Sequence, residues 1–459
     1  MNKKTEQGEY RMSLNTFKLS GLGLLFLSSA LQAGSMLDSV NEALATNPEI
    51  LIRTAEADAR DYEIRQAKAG YLPTVDLRSG IGYENTRNST TIGLYNSRQE
   101  PDKDLNRTRR DASIVARQML FDGFAVDSEV ARQEARHASA SFDVCSAAES
   151  IALEASQVYI NVIRQQAVVE LAKENVKEHE RVVELIRKQG AKGRSNEADV
   201  AQAESRMVLA KANEISAESV LRDARTQYQR VIGNLPQSFT LPSAPASLPV
   251  NLEAALTQAK ANHPVLRLAS ADINAAQAQY DASKSPFMPR VELEVGADWT
   301  SDANGGKDDE YTHTAKINMT YNLYNGGADK ARREQASKLM NEAIEIKNRA
   351  QRQVEEEVRF AWIAVEFGEK RLMPLAEHVK QADRSRELYN KQFLIGSRTL
   401  LDLLDSQNEY FSARQSEINA RYDLAFNRYR LLQSTGSLVS GIGATLPVEN
   451  SCGVAVTSL

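Results

Sequence analysis

The chain has 459 residues, and its 56 Lys and Arg nearly balance its 61 Asp and Glu, giving a formal net charge of -5. This length predicts more than one structural unit, and the charge balance gives no general case for binding nucleic acid. Aromatic residues are only 6% of the chain, while Ala, Glu, Gln, Arg and Leu are abundant, which is typical of long helices. The five histidines and two cysteines show no metal-ligand spacing, so we expect no metal and no cofactor.

The N-terminal residues 1–33 have the pattern of a secretory signal peptide. Lys18 precedes an apolar run over 19–31, and "LQA" ends at the small residue Ala33. A basic start, a short apolar core and a small residue at the cleavage point define such a peptide. We expect cleavage after Ala33, with Met12 as an alternative start, and therefore an exported mature chain. A buried core helix is the other interpretation. No later run of about 18 apolar residues predicts a membrane-spanning helix.

The sequence of the remaining residues indicates two copies of one repeated unit. An offset of 216 (36 to 252) places Met36–Tyr83 on Leu252–Trp299, and an offset of 203 (120 to 323) places "LFDG" on "LYNG". The offset changes after Tyr83, so the copies differ there in loop length. The predicted units are repeat 1 over 34–233, a Pro-rich linker over 234–251, repeat 2 over 252–436 and a C-terminal tail over 437–459.

Each repeat contains two segments in which apolar and polar residues alternate. Such a period of two predicts a β-strand with one apolar and one polar face. Strands of about 10 residues are long enough to cross a bilayer at a tilt. The predicted strands cover about 74–83 and 110–121 in repeat 1, and about 290–299 and 311–323 in repeat 2.

The remainder of each repeat predicts one long helix followed by a shorter one. No proline interrupts residues 102–235, and residues 125–189 would extend ~95 Å as one α-helix. Glycines at Gly190–Gly193 and at Gly396 break each copy between its two helices. Pro374 lies within the second long helix and is expected to kink it.

Neither the long helices nor the four strands can form a closed structure within one chain. Long helices with a narrow apolar stripe have to pack side by side. Four strands cannot close a barrel, and open sheet edges are not tolerated in lipid. Several copies of the chain are therefore expected to form a membrane β-barrel continued by a helical cylinder. A secreted coiled-coil scaffold is the alternative, but it gives no reason for four alternating segments.

Two aspartates stand close together in the leucine-rich stretch "FLIGSRTLLDLLDSQNEYFSAR". Asp402 and Asp405 share one face if this stretch is helical, because residues three apart are neighbours on a helix. They could form a catalytic dyad, a pair of metal ligands or a solvated stripe. No accompanying nucleophile or Gly-rich loop supports catalysis, and exposed acids of this kind are most often solvated.

The segment Ile395–Leu438, the two repeats and the "LYNGG" turn resemble the TolC family of outer-membrane channel-tunnels over essentially the whole mature chain. The resemblance implies a fold that combines α-helices with a membrane β-barrel. Three chains would contribute four strands each to a twelve-stranded barrel, continued by a long periplasmic α-helical barrel. It also implies a passive outer-membrane conduit that works with a periplasmic adaptor (membrane-fusion) protein and an inner-membrane transporter, and no enzymatic activity.

The sequences of the segments "LFDG", "LYNGG" and "IGSRTLLDLLDSQ" resemble those of family members that serve type I secretion, including members that export large adhesins. Protein export with an ABC transporter is therefore the expected role. Efflux of drugs or metals with a proton-driven pump is the alternative.

The resemblance also implies a periplasmic gate. The two aspartates match the carboxylates that ring the tunnel entrance, and Arg398 matches an arginine that pairs with the counterpart of Asp199. Phe393 stands where family members use a tyrosine hydroxyl, and Ala198 stands where they use a threonine. The expected gate residues are thus Asp402, Asp405, Arg398, Asp199 and Phe393.

Overall fold

The computed structural model describes residues 35–191, 195–236 and 238–446. The expected signal peptide and most of the expected C-terminal tail lie outside the described residues. The elements follow in the order α1 (Met36–Thr46), α2 (Pro48–Lys68), β1 (Thr74–Thr86), α3 (Ser89–Asn96), β2 (Leu105–Phe121), α4 (Ala125–Gly190), α5 (Glu197–Ile232), α6 (Leu252–Asn262), α7 (Pro264–Ala282), β3 (Arg290–Ser301), β4 (Asp309–Thr320), α8 (Ala328–Leu394), α9 (Leu400–Ser434) and α10 (Leu438–Gly441).

The element bounds follow the internal repeat. Helices α1 and α6 begin at residues 36 and 252, and the long helices α4 and α8 begin at 125 and 328, so the offsets of 216 and 203 both appear in the fold. Equivalent helices also have equivalent caps. Asn47 accepts a hydrogen bond from a backbone N–H at the start of α2, and the ring of His263 does the same for α7.

Helix α3 breaks this correspondence. It has eight residues and lies in the loop between β1 and β2, where repeat 1 is longer than repeat 2. Its N-cap Asn88 also donates to the carbonyl oxygen of Asn304 in the β3–β4 turn, at 2.9 Å. The buried hydroxyl of Thr91 donates to the carbonyl oxygen of Lys103 at 2.8 Å. The alternation analysis predicted a loop here and no helix.

The four strands form one antiparallel sheet in the order β1-β2-β3-β4. β1 and β2 extend further toward their connecting loop than the alternation predicted, to Thr86 and from Leu105. The pairing of β2 with β3 joins the two repeats into one sheet. β1 and β4 each have one unpaired edge within the chain, and in lipid such edges have to pair with another chain.

The two faces of this sheet differ in chemistry. The registers of the three strand pairs place one set of apolar side chains on a common face. Many of these side chains are more than 60% exposed in the single chain, including Leu77 and Met319. An exposed apolar face of this kind is the lipid-facing surface of a membrane barrel. Its members include Val75, Leu77, Ile81, Tyr83, Ile114, Val295, Trp299, Tyr311, Ile317 and Met319.

The helices form two long hairpins, α4 with α5 and α8 with α9. α4 has 66 residues, about 100 Å at 1.5 Å per residue. α8 has 67 and continues on both sides of Pro374. The largest apolar core lies among α1, α4, α5, α9 and α10. In it the Tyr159 hydroxyl donates to the carbonyl oxygen of Thr240 at 2.9 Å and accepts from its N–H at 3.0 Å, which fixes the linker to α4.

The last described helix docks on α4 through a buried carboxylate. Glu149 accepts hydrogen bonds from the backbone N–H groups of Leu438 and Val439, at 2.9 and 3.2 Å. Burial raises the pKa of Glu149 to about 7, against the opposing effect of these two donors. Within the residues described, no helix is both long enough and apolar enough to cross a membrane.

Candidate functional site

The expected gate residues lie where α8 turns into α9 and where α5 begins. Both α5 and α9 start with a capping box, a reciprocal pair of hydrogen bonds between the N-cap residue and the third helical residue. Asn196 accepts from the N–H of Asp199 at 2.8 Å, and Thr399 accepts from the N–H of Asp402 at 3.2 Å. In both helices the aspartate carboxylate accepts from the N-cap backbone N–H in return. The offset of 203 relates Asp199 to Asp402, so the two repeats use these acids in the same way.

The carboxylate of Asp402 is held ionised by its own helix start. The Thr399 hydroxyl donates to it at 2.9 Å and the Thr399 N–H at 3.1 Å. Both donors and the nearby Arg398 guanidinium lower the pKa of Asp402 below its ordinary value, and the Thr399 hydroxyl has the largest effect. Asp402 therefore carries a negative charge at neutral pH.

Arg398 is engaged by neighbours in its own hairpin. Its Nε donates to the Gln392 side chain at 3.1 Å, and its guanidinium lies 4.4 Å from the ring centroid of Tyr389. It also lies 3.9 Å from the Asp402 carboxylate. Among the described residues of one chain, no ion pair joins Arg398 to Asp199, so the expected pair is not formed within a single subunit.

Phe393 is buried, with 8% of its surface exposed. It belongs to a group of buried apolar side chains that we call the tip cluster. The cluster joins the α4–α5 hairpin to the α8–α9 hairpin at the end remote from the sheet. A tyrosine hydroxyl here would need a hydrogen-bond partner inside an apolar environment, whereas phenylalanine fits without one. The members of the tip cluster are Val182, Val183, Ile186, Ala203, Phe393, Leu400, Leu403 and Leu404.

The α4 residues of this cluster were not among the gate residues expected from the sequence. The sequence indicates this part of the cluster through the mostly apolar run "VVELI" at residues 182–186, which shortly precedes the glycine at the end of α4. Nothing local in that run shows that it packs against α9, because the contact joins residues more than 200 positions apart.

Asp405 lies beside Asp402 on the opposite side of α9 from the tip cluster. Both acids line a surface groove between α8 and α9, together with Tyr389, Glu409 and His378. The His378 ring nitrogen lies 2.9 Å from the Glu409 carboxylate. In the described part of the chain, no three His, Cys, Asp or Glu side chains are grouped as a metal site would require. The groove therefore presents exposed negative charge.

Comparison with known proteins finds relatives that match both repeats of the chain. The profile of the outer membrane efflux protein family matches residues 39–234 and 255–437, which are the two repeats without the linker. The outer membrane efflux protein BepC of Brucella suis is 25% identical over 91% of this chain and 89% of its own length. TolC of Escherichia coli is 22% identical over 92% and 86%. The alkaline protease secretion protein AprF of Pseudomonas aeruginosa is 22% identical over 88% and 85%.

The fold also matches solved channel structures. The outer-membrane channel OprN superposes with a TM-score of 0.76 at 18% identity, over 88% of this chain and 90% of the channel. The predicted fold class, a trimeric barrel with four strands per chain and a long helical continuation, is confirmed, as is the outer-membrane location. Proteins of this kind are non-enzymatic channels that assemble as homotrimers and work with adaptors and inner-membrane transporters. With both of its repeats matched and its fold shared, the chain belongs to the outer membrane efflux protein family.

Proposed function

We propose that this channel is the outer-membrane conduit of a type I secretion system and passes a protein substrate, of the large adhesin class, from an ABC transporter and its adaptor to the cell exterior. The observation that carries the proposal is the resemblance of the stretch "IGSRTLLDLLDSQ" to family members that serve type I secretion. It forms the turn and first helical turns beside the tip cluster. The relative AprF, named for protease secretion, supports the same role.

Efflux of drugs or metals with a proton-driven pump is the second candidate. The relative BepC, named as an efflux protein, and the fold likeness to OprN favour it. Both roles use the same conduit and differ in the transporter and the cargo.

Deleting the gene distinguishes the two roles. For a secretion conduit, the culture medium or cell surface loses a large protein, and sensitivity to drugs and metal salts stays at the parental level. The wild-type gene supplied in trans restores the exported protein. Raised sensitivity with an unchanged set of exported proteins would assign the channel to efflux instead.

We further infer that the tip cluster holds the two hairpins together and keeps the entrance narrow. The buried position of Phe393 and the fully buried Leu403 support this inference. So does the engagement of Arg398 within its own hairpin. A pairing of Arg398 with Asp199 between neighbouring subunits would add to it. Such an exposed ion pair contributes about 0.2–1 kcal/mol.

Burial of apolar side chains in the tip cluster is expected to stabilise the closed entrance more than this ion pair does. Truncating a fully buried leucine costs ~2–5 kcal/mol, so Leu403→Ala is expected to raise single-channel conductance or its open fraction in planar bilayers. Leu401→Ala is the matched control, because Leu401 is in the same helical turn and 48% exposed. Arg398→Ser is expected to have the smaller effect. A larger rise from Arg398→Ser than from Leu403→Ala would show that ion pairs hold the entrance instead.

Asp402 and Asp405 would contribute six carboxylates around the axis of a trimer. A ring of this kind concentrates cations through its summed field. Replacing both by asparagine is expected to reduce the cation preference of the channel. Unchanged ion selectivity would place these side chains away from the conducting path.

A further inference from the structure

The polar face of the sheet carries a line of charges that crosses all four strands. Arg117 on β2 donates through Nη1 to the Asp76 carboxylate on β1 at 3.1 Å. Its Nε donates to the Glu294 carboxylate on β3 at 2.9 Å. Lys316 on β4 lies 2.8 Å from the other oxygen of Glu294. We call these four residues, one from each strand, the charge belt.

The charge belt faces away from the apolar surface of the sheet. Arg117 is directly opposite Glu294 in the β2–β3 register, and Glu294 is directly opposite Lys316 in the β3–β4 register, so their side chains share one face. The neighbouring positions Leu293 and Ile317 point to the other face, where Ile317 is 67% exposed. Since that apolar face meets lipid, the charge belt lies on the lumen side of the barrel.

The two ends of the belt are complementary. Asp76 lies on β1 and Lys316 on β4, which are the two edge strands of the sheet. Their side chains remain 51% and 54% exposed despite their partners within the chain. The belt therefore begins with a carboxylate at one edge and ends with an ammonium group at the other.

Both ends of the belt also lie near the helical end of the barrel. Asp76 is two residues from Thr74, where β1 begins, and Lys316 is four residues from Thr320, where β4 ends. Both of these strand ends lead into the helical part. Alternating strand directions make β1 and β4 antiparallel, so a closed barrel of identical subunits places β4 of one subunit beside β1 of the next, as adjacent antiparallel strands.

We propose that Lys316 of each subunit pairs with the Asp76 carboxylate of the neighbouring subunit, which closes three charge belts into one continuous ring of twelve alternating charges. The ring surrounds the lumen where the barrel meets the helices. The proposal rests on the trimeric channel described above and deepens it by naming the contact that closes each subunit boundary. Unlike the aspartates of the entrance, the ring has six positive and six negative charges, so it does not oppose cargo of either sign. Because a cross-strand charge pair favours one register over its neighbours, it also fixes how the subunits align.

Zero-length carbodiimide coupling tests the contact on the intact wild-type trimer. The reagent joins an amine to a carboxylate only where the two groups touch. Coupling of Lys316 to Glu294 stays within one chain, whereas coupling of Lys316 to Asp76 links two chains. We expect covalent dimers and trimers after full denaturation, and a cross-linked peptide pair that contains Lys316 and Asp76 in mass spectra.

Variants identify the pair. Lys316→Gln and Asp76→Asn should each abolish that linkage, while Asp298→Asn, an acid on the same face of the central strand β3, should leave it intact. The double variant of Lys316 and Asp76 should lower the temperature at which the trimer dissociates in SDS by less than the sum of the single shifts. Inside one chain the two residues are also connected through Arg117 and Glu294, so the same cycle is repeated in an Arg117→Gln background, where remaining non-additivity comes from the contact across the subunit boundary.

A native trimer without the Lys316–Asp76 linkage, or shifts that are strictly additive in the Arg117→Gln background, would overturn the ring while leaving the channel and its export role in place. Purification of a stable monomer would instead contradict the assembly itself. Loss of export in the gene deletion is measured separately, so failure of the ring and failure of the proposed function give different results.

Discussion

His263 is expected to make the protein sensitive to acid. Its side chain is 5% exposed, and its Nδ1 accepts a hydrogen bond from the Val265 N–H at 3.3 Å at the start of α7. A nitrogen that accepts this bond carries no proton. Burial lowers the pKa of His263 from 6.5 to about 4. The folded state therefore favours the neutral ring more strongly than the unfolded state does.

The size and sign of the effect follow from this shift. The folded-state pKa lies below the unfolded value, so the contribution is complete above about pH 6.5 and is lost as the pH falls toward 4. Each pKa unit corresponds to 1.36 kcal/mol, so the full loss is ~3 kcal/mol across this window. That is a large part of the 5–15 kcal/mol that stabilises an ordinary domain.

The variant His263→Asn isolates this contribution. Repeat 1 has Asn47 at the equivalent cap, where its side chain accepts from the Glu49 N–H at 3.0 Å, so asparagine supplies the same acceptor and does not titrate. Thermal midpoints of the detergent-solubilised trimer would be measured from pH 8 to pH 4. We expect the thermal midpoint of the variant to exceed that of the wild type only below pH 6.5, and the difference to increase toward pH 4.

The equivalent cap of repeat 1 serves as the control. Asn47→Ser keeps a side-chain acceptor at the start of α2 and involves no titrating group, so its midpoints are expected to run parallel to those of the wild type at every pH. If the midpoints of His263→Asn and the wild type also ran parallel from pH 8 to pH 4, His263 would not be the group that titrates, and the argument from burial would fail.

Two further predictions concern the main helical core. Burial raises the pKa of Glu149 to about 7, so its contribution is complete below pH 4.5 and is lost as the pH rises through 7. Glutamine does not titrate and can accept from only one of the two N–H groups, so the stability of Glu149→Gln relative to the wild type should rise from pH 4 to pH 8, and an equal difference at both would contradict this. Tyr159→Phe leaves the backbone N–H and carbonyl of Thr240 without their partner hydroxyl, which is expected to cost ~1–3 kcal/mol in denaturant unfolding. An unchanged midpoint would show that water replaces that hydroxyl.

Much of the fold could be predicted because it is encoded in local periods. A period of two marks the strands, three-four spacing marks the helices, and the repeat supplies each pattern twice. Helix α3 could not be predicted in this way, because "STTIGLYN" is too short and too polar to show a helical period. It is held by its cap at Asn88 and by the buried Thr91, which are contacts that depend on the neighbouring turn.

The candidate site also contains some features that can be predicted from the sequence and others that cannot. The capping boxes at Asn196 and Thr399 are readable in sequence, since each cap residue precedes an aspartate by three positions. The tip cluster is not, because Phe393 and Leu403 meet the α4 run 182–186 only after both hairpins have formed. The resemblance indicates only that Phe393 lacks the hydroxyl of the tyrosine that family members have at this position. Its burial shows the contribution that the ring makes by packing.

An entrance held by apolar packing responds to its surroundings differently from one held by ion pairs. Salt screens exposed charges, but it has little effect on buried side chains such as Leu403 and Leu404. Apolar burial weakens on cooling, because its driving force near room temperature is entropic. If the tip cluster holds the entrance closed, as proposed, the entrance should tolerate large changes in ionic strength and loosen in the cold.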